Sequence, residues 1–255
     1  MNFSAVSRLS RIGRLLRIPL KLIPSAAPMF ALQGPLRGYR WRAGASNHGC
    51  WLGSYEREKQ ELFASTITPG SVVYDVGANV GFYTLLASEL VGDAGRVIAF
   101  EPLPRNVELL RDHIHINNLS NVEVIDAAVA DHMGSASFDD QRNPSMGQLS
   151  KTGKMEVRTV ALDDLVQGGT IPPPNFIKID VEGAEEAVLK GSEGILATHQ
   201  PTIFLATHGD EVKAHCLQYL AHRAYTLQSI GTNDMVAADE FIAKPTLPSV
   251  PQGAD

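Results

Sequence analysis

The sequence predicts an α/β protein with a doubly wound, mostly parallel sheet that ends in an antiparallel C-terminal hairpin. Three observations support this prediction. Short apolar segments alternate with helical segments from residue 70 to residue 223, glycines follow several of the strands, and two strand-like segments close the chain. Alternation of this kind is typical of parallel sheets with helices on both faces.

The length of 255 residues suits one large α/β domain with an N-terminal extension. We divide the chain into a basic arm (1–33), a cap segment (34–69), the main domain (70–245) and a loose tail (246–255). Two cysteines, Cys50 and Cys216, are too few for a disulfide framework and lack metal-ligand spacing. They predict a reducing compartment and a cytoplasmic protein.

The charge is distributed unevenly along the chain. Residues 1–55 contain eight of the 22 basic residues and none of the 28 acidic ones. Residues 3–18 can form a helix with leucines and Ile12 on one face and arginines around the other. The arm is read as a disordered segment, a peripheral contact for membrane or another anionic partner, or a targeting signal. It contains no apolar run of the roughly 20 residues that a membrane span needs.

The first motif is an apolar strand, a glycine turn and a helix within residues 72–87. Gly77 and Gly81 let the backbone approach a ligand, and Asn79 lies between them. The spacing differs from the dinucleotide pattern G-x-G-x-x-G. Asp75 places a carboxylate at the turn, which repels a pyrophosphate and attracts a cationic ligand.

The strand at residues 96–100 ends in a second acid, Glu101, which can accept hydrogen bonds from ribose hydroxyls. Together with Asp75, it indicates S-adenosylmethionine, whose methionine part carries a sulfonium and an ammonium group. The third strand is expected over residues 122–129, with Asp126, Ala127 and Ala128 beside an adenine ring. Asp126 can accept from the adenine amino group, or it is a solvated acid at a strand end.

Two further segments are candidates for contact with the acceptor. Trp51 and Tyr55, followed by Glu56, can cover the site from the cap segment. Alternatively, the two aromatic residues pack an N-terminal helix on the sheet. Residues 131–156 are expected to form a hairpin and a polar loop at the rim of the sheet.

A second motif occupies residues 175–186, where a strand expected to be buried contains Lys178 and leads into Asp180 and Glu182. A buried ammonium requires a carboxylate partner, and Asp75 or Glu182 is the natural one. His208 follows the next strand at the same rim. This histidine is either structural or part of an active site, because parallel sheets bind ligands at that edge.

With these motifs placed, the chain resembles the FkbM-type family of S-adenosylmethionine-dependent methyltransferases over about residues 50–245. The matching stretches are Y-D-V-G-A-N-V-G-F-Y (74–83), A-F-E-P-L-P-R-N (99–106), A-A-V-A-D (127–131) and I-K-I-D-V-E-G-A-E (177–185). The resemblance implies a seven-stranded class I methyltransferase fold and O-methylation of a sugar, glycan or polyketide-like metabolite. It adds Phe82, Tyr83, Pro102 and Asn106 to the expected cofactor-binding residues. One departure is Leu205-Ala206-Thr207-His208, where the family often has Leu-Glu-x-His.

An alcohol needs a base to become a good nucleophile, so His208 is the expected general base. Asp180 and Glu182 assist or orient it, and Lys178 fixes the carboxylates. A divalent ion held by the two acids is the alternative, but these spacings are a weak metal pattern and no metal ligands are assigned.

Two other functions compete with methyl transfer. One is a nicotinamide-dependent dehydrogenase, which the glycine spacing and Asp75 disfavour. The other is a binding protein whose basic arm contacts membrane or nucleic acid. The acidic body disfavours nucleic acid as a partner, and no recognised nucleic-acid module is present.

Overall fold

The computed structural model describes residues 23–139, 148–149 and 155–246. In chain order the strands are β1 (Pro28–Phe30), β2 (Arg40–Arg42), β3 (Val72–Val76), β4 (Arg96–Phe100), β5 (Val122–Ile125), β6 (Ala128–Val129), β7 (Gly134–Asp139), β8 (Gln148–Leu149), β9 (Met155–Val160), β10 (Phe176–Ile179), β11 (Thr202–Ala206), β12 (Tyr225–Ser229) and β13 (Glu240–Pro245). The helices are α1 (Gly49–Leu52), α2 (Arg57–Thr66), α3 (Phe82–Val91), α4 (Pro104–Ile116), α5 (Leu162–Gln167), α6 (Glu185–Lys190), α7 (Glu193–Thr198) and α8 (Asp210–His222).

A seven-stranded sheet with the order β12-β13-β11-β10-β3-β4-β5 forms the centre of the fold. Strands β11, β10, β3, β4 and β5 run parallel, while β13 pairs antiparallel with both β11 and β12. The predicted seven-stranded, mostly parallel sheet with a C-terminal antiparallel hairpin is therefore confirmed.

Helices cover the sheet on both faces, because alternate side chains of a strand point to opposite sides. Tyr74 and Val76 of β3 join an apolar cluster with residues from α5, α6, α7 and α8. Val73, between them, joins a second cluster that contains α3, α2 and the buried Trp41 and Trp51. The cap segment is thus packed onto the sheet rather than separate from it.

A smaller sheet, with the order β6-β9-β7-β8, corrects the expected course of the chain after β5. The third strand was expected to continue to residue 129, but it ends at Ile125. The backbone turns there, with the Ala127 N–H donating to the Ile125 carbonyl at 2.9 Å. β6 then pairs with β9 in the second sheet.

Several sequence-based predictions fall outside the described residues. These are the helix at residues 3–18, the loop at residues 143–147 and the tail (246–255) except for its first residue. None of the helices within the described ranges is both long and apolar enough to cross a bilayer.

Candidate active site

A cavity of about 560 Å³ lies at the carboxyl ends of β3, β4 and β10. This is the edge at which parallel α/β sheets bind ligands, and the volume lies in the usual range for small-molecule sites. The predicted site residues that line the cavity are Tyr55, Gly77, Asn79, Phe82, Tyr83, Glu101, Pro102, Asn106, Ala127, Ala128, Lys178, Asp180 and Glu182. Those that do not line it are Trp51, Glu56, Asp75, Gly81, Asp126 and His208.

The glycine turn after β3 forms one wall of the cavity. Gly77 has a positive φ of 78°, and a Cβ at this position would overlap the Asp180 carbonyl oxygen. Gly81 has a φ of 98°, and its Cβ would press on the Leu110 side chain. Asn79 adopts a positive φ of 51° and accepts a hydrogen bond from the Val80 N–H through its own side chain. At the crowded positions of Gly77 and Gly81, glycine adopts this backbone at low cost because it has no Cβ.

Glu101 lies in the cavity wall and fixes the backbone around it through hydrogen bonds. One carboxylate oxygen accepts from the Asn79 N–H at 2.8 Å, and the other accepts from the Leu103 N–H at 3.0 Å and the Asn106 amide at 3.1 Å. Burial raises the pKa of Glu101, and these three hydrogen bonds oppose that shift. Glu101 thus connects the turn after β3 to the start of α4.

Asp75 is positioned differently from the sequence-based expectation. Its carboxylate is 1% exposed and lies below the cavity rather than at its wall. It accepts from the Thr84 hydroxyl at 2.6 Å and lies 3.2 Å from Nζ of Lys178. Of the two partners predicted for Lys178, Asp75 and Glu182, the structure shows Asp75. The buried position of Asp75 does not favour the expected direct contact with a cationic ligand.

Lys178 places a positive charge beside the turn. Its Nζ donates to the Gly77 carbonyl at 2.9 Å and lies 3.6 Å from Oδ2 of Asp180. Burial disfavours the ammonium, but Asp75 and Asp180 outweigh that effect and raise the pKa of Lys178. Lys178, Lys59 and His208 in turn keep the pKa of Asp180 below its ordinary value despite burial. Asp180 is therefore an ionised carboxylate in the cavity wall.

A second buried lysine, Lys59 of α2, extends this network away from the cavity. Its Nζ lies 2.7 Å from Glu240 and 3.4 Å from Glu56, and Glu56 accepts from the Tyr83 hydroxyl at 2.7 Å. The Tyr83 ring lies 5.2 Å from Lys59 Nζ and 5.6 Å from Lys178 Nζ. Glu56 was expected near the acceptor, but it holds Tyr83 instead.

Trp51 and Asp126 each follow the structural alternative that the sequence had left open beside a role in the site. Trp51 is 3% exposed and belongs to the apolar core, so it packs the cap segment on the sheet. Tyr55 remains in the cavity wall, with its ring edge-on to Phe82 at 5.0 Å. Asp126 forms an exposed pair with Arg111 at 2.8 and 3.0 Å and is a surface acid rather than a cavity group.

His208 lies at the rim, beside the two acids that line the cavity. Its Nε2 is 3.5 Å from Glu182 and 3.8 Å from Asp180, and its ring is one-third exposed. Nδ1 is 2.6 Å from Oε1 of Glu185. The hydrogen bond to Glu185 raises the pKa of His208, and Glu182 and Asp180 add to this effect while burial opposes it.

Glu182 completes the rim. Its backbone is left-handed, with a φ of 54°, which costs about 1–2 kcal/mol for a residue other than glycine. Burial raises the pKa of Glu182, and the nearby Asp180 and Glu185 raise it further, although His208 opposes the shift. Ligand atoms of Asp180, Glu182 and His208 lie within 4.8 Å of one another, which is the one set of this kind within the described residues.

Sequence reasoning missed two functional candidates, Glu185 and Lys59. Glu185 was included in a matching stretch without a role, yet its carboxylate is fully buried against His208. Lys59 lies in an exposed-looking helix sequence, R-E-K-Q-E, and is only 3% exposed. No local pattern separates it from its charged neighbours, because its partner Glu240 lies 181 residues further along the chain.

The sequence of the chain is similar to those of known methyltransferases. A model of the Methyltransferase FkbM domain matches residues 75–227. The Hexuronic acid methyltransferase AglP of Haloferax volcanii is 30% identical over 143 residues, covering 55% of this chain and 58% of that protein. The 31-O-demethyl-FK506 methyltransferase FkbM of Streptomyces tacrolimicus is 29% identical over 161 residues, covering 50% and 61%. The matches thus span about three-fifths of these relatives' length.

A solved structure shows the same fold. The crystal structure of a methyltransferase FkbM from Methylobacillus flagellatus KT aligns with a TM-score of 0.51 at 16% identity, covering 78% of this chain and 55% of that chain. The seven-stranded sheet is therefore of the class I methyltransferase type.

Proposed function

Because this chain belongs to the FkbM methyltransferase family, we propose that it transfers a methyl group from S-adenosylmethionine to an acceptor hydroxyl. The acceptor class we propose is a sugar, a glycan or a polyketide-like small molecule. The observation that supports this most strongly is His208 at the rim, next to two acids of the cavity wall. In the proposal, the methyl donor and the base meet at this edge of the sheet.

The cavity fits S-adenosylmethionine in size and chemistry. Its wall contains a glycine turn that a Cβ would obstruct, a buried acid at Glu101 and two small residues, Ala127 and Ala128. In the proposal, Glu101 accepts from the ribose hydroxyls, the alanines contact the adenine, and the turn receives the methionine part. Asp180, which lines the wall, is then the carboxylate nearer to the methionine part than Asp75, which does not line it.

The donor supplies an electrophilic methyl group on a sulfonium, and the chain must orient the acceptor oxygen and remove its proton. His208 takes that proton on Nε2, because Nδ1 is occupied by Glu185. The partly exposed ring can then release the proton to solvent. General base catalysis of this kind contributes roughly 10²–10⁴-fold.

The charges around His208 favour a hydroxyl acceptor over a carboxylate. Asp180, Glu182 and Glu185 all face the imidazole, so an anionic acceptor would be repelled at close range. A carboxylate would also need no base. The names of the two relatives mention a hexuronic acid and a demethylated FK506, which supports testing sugars and polyketides first.

Divalent metal chemistry is the alternative role for the same three side chains. The hydrogen bond from Nδ1 to Glu185 would suit a metal-bound histidine as well as a base. Against a metal, Lys178 already lies 3.6 Å from Asp180 and compensates its charge. The FkbM family match favours a methyltransferase over the nicotinamide-dependent dehydrogenase.

Membrane contact through the basic arm stays a prediction, since residues 1–22 lie outside the described range.

The proposal is tested with the full chain, S-adenosylmethionine labelled with ¹³C in the methyl group, and a panel of acceptors. The panel contains a neutral methyl hexoside, a hexuronic acid glycoside and a hydroxylated macrolide. NMR of the product is expected to show a methyl ether. His208→Ala is expected to lower turnover by roughly a hundredfold, while the exposed His222→Ala serves as the matched control. Turnover of His208→Ala within a few fold of the parent would exclude His208 as the base.

A further inference from the structure

Glu185 is a buried carboxylate without an assigned role. It is the first residue of α6 and is 0% exposed. Its Oε1 accepts from the Gly183 N–H at 3.1 Å and lies 2.6 Å from Nδ1 of His208. Its Oε2 has no hydrogen-bond partner among the described residues. A charge in such a place is costly unless it is paired, and His208 pairs with Glu185 in this structure.

The next residue, Glu186, shows what an ordinary acid on this helix does. It pairs with Lys190 at 2.8 Å and with His215 at 3.1 Å, and both contacts are exposed. The two consecutive acids therefore lie in different environments, Glu186 at the surface and Glu185 in the interior. Only Glu185 reaches the proposed active site.

A carboxylate can only accept hydrogen bonds, so its contact requires a proton on Nδ1. With Nδ1 protonated, the lone pair of the neutral imidazole is on Nε2. That atom faces Asp180 and Glu182 at the rim. The hydrogen bond to Glu185 thus selects the tautomer that a base at this position needs.

We propose that Glu185 is the positioning residue of the methyl transfer, holding His208 as the Nδ1–H tautomer so that Nε2 receives the acceptor proton. This role rests on the proposed function. When the acceptor O–H bond breaks, the oxygen forms the new bond to the methyl carbon and the proton moves to Nε2. The C–S electron pair stays on sulfur, and Glu185 stabilises the imidazolium that results.

The groups that face His208 come from two elements. Asp180 and Glu182 approach Nε2 from the loop after β10, and Glu185 approaches Nδ1 from α6. Asp180 is compensated by Lys178, and Glu182 lies on the side where the acceptor must arrive. A substitution of Glu185 therefore changes the tautomer of His208 and leaves Asp180 and Glu182, the groups that face Nε2, in place.

The first test needs no acceptor. Nitrogen-15 NMR of the histidine rings in the full chain reports tautomer and titration, and His208→Gln identifies the His208 signals among the eight histidines. In Glu185→Gln the amide can donate as well as accept. The Nε2–H tautomer is then expected to appear, and the titration midpoint of His208 to fall because a negative charge is lost. Glu186→Gln is expected to leave both properties unchanged.

The second test measures kinetics with the acceptor of the panel that the chain methylates. Glu185→Gln is expected to lower kcat about tenfold or more, with KM values within about twofold. The acidic limb of kcat/KM is expected to move to lower pH. A purely structural acid would reduce the folded fraction without moving that limb, and Glu185→Asp, which keeps the charge, is expected to retain the limb near the parent position.

The outcomes separate the two proposals. If His208 keeps its tautomer and titration in Glu185→Gln, as in Glu186→Gln, the positioning role is wrong whether or not the chain methylates anything. If the tautomer changes but the folded parent neither binds S-adenosylmethionine nor transfers methyl groups, the proposed function fails and the catalytic part of the role fails with it.

Discussion

Lys178 and Asp75 are register partners on the adjacent parallel strands β10 and β3, with Nζ and Oδ1 3.2 Å apart. Both side chains are almost fully buried, at 4% and 1% exposure. The same ammonium donates to the Gly77 carbonyl, so a single buried charge links the sheet to the glycine turn. The turn therefore depends on this buried pair, of which Lys178 lines the cavity and Asp75 does not.

We expect Lys178→Met to lower the free energy of unfolding by about 3–5 kcal/mol, because it leaves the Asp75 carboxylate buried without its cation. Urea denaturation measures this change. Lys178→Met combined with Asp75→Asn is expected to recover part of the loss, and the exposed Lys190→Met is the control that should unfold like the parent. A fully stable Lys178→Met would show that the pair does not stabilise the fold.

Gly77→Ala should damage the turn more than the backbone conformation alone predicts. Gly70 has a similar φ of 81°, but a Cβ there meets nothing within 4 Å, whereas a Cβ on Gly77 meets the Asp180 carbonyl. Gly70→Ala is expected to cost about 1–2 kcal/mol of stability and to leave donor binding intact. Gly77→Ala is expected to cost more and to weaken binding of S-adenosylmethionine at least tenfold, measured by calorimetry. Equal effects of the two substitutions would contradict the close approach.

His113 predicts a dependence of stability on pH. This fully buried ring faces the Val80 carbonyl at 2.7 Å through Nδ1, accepts from the Arg42 N–H at 3.0 Å, and stacks on Trp41. Burial lowers the pKa of His113. The unfolded chain therefore binds the proton more readily, and the stability contribution is present above about pH 6.5 and lost as the pH falls below it.

Chemical denaturation at pH 7.5 and pH 5.5 checks this expectation. His113→Gln is expected to be less stable than the parent at pH 7.5, and the difference should narrow at pH 5.5. His208 acts in the opposite direction, because its raised pKa adds stability that is lost as the pH rises through the raised value. A constant difference between His113→Gln and the parent would mean that His113 does not titrate on unfolding.

Removal of divalent ions distinguishes a base from a metal ligand at His208. If Nε2 takes the acceptor proton, dialysis against a chelator should leave turnover within about twofold of the untreated chain, since the chemistry needs no Lewis acid. Turnover that is lost on chelation and restored by Mg²⁺ or Mn²⁺ would assign Asp180, Glu182 and His208 to a metal instead.

Much of the fold could be predicted because strand periodicity and glycine turns are local signals. They predicted the neighbours of β10 correctly, and with them the Lys178–Asp75 pair and the position of His208. What the sequence did not determine is where a side chain points once its strand has ended. Asp126 directly follows β5, but its side chain pairs with Arg111 at the surface because the chain leaves the sheet at Ile125.

The sequence also could not predict which residues are buried by partners far away along the chain. Trp51 packs into the core and Lys59 is buried against Glu240, and in both cases the deciding partner is distant in sequence. Glu185 could have been suspected, because it directly follows a predicted active-site loop. Its contact with His208 depends on the relative positions of α6 and the end of β11, which local patterns do not define.

The most direct test of the account is a calorimetric titration of the purified chain with S-adenosylmethionine, beside Glu101→Gln and Glu123→Gln. Glu101 lines the cavity, whereas Glu123 forms an exposed pair with Arg96. The expected result is one binding site in the parent, unchanged in Glu123→Gln and weakened about tenfold or more in Glu101→Gln, as for loss of a hydrogen bond to a charged group. A folded parent that does not bind the donor, or equal binding by all three proteins, would contradict the proposed site.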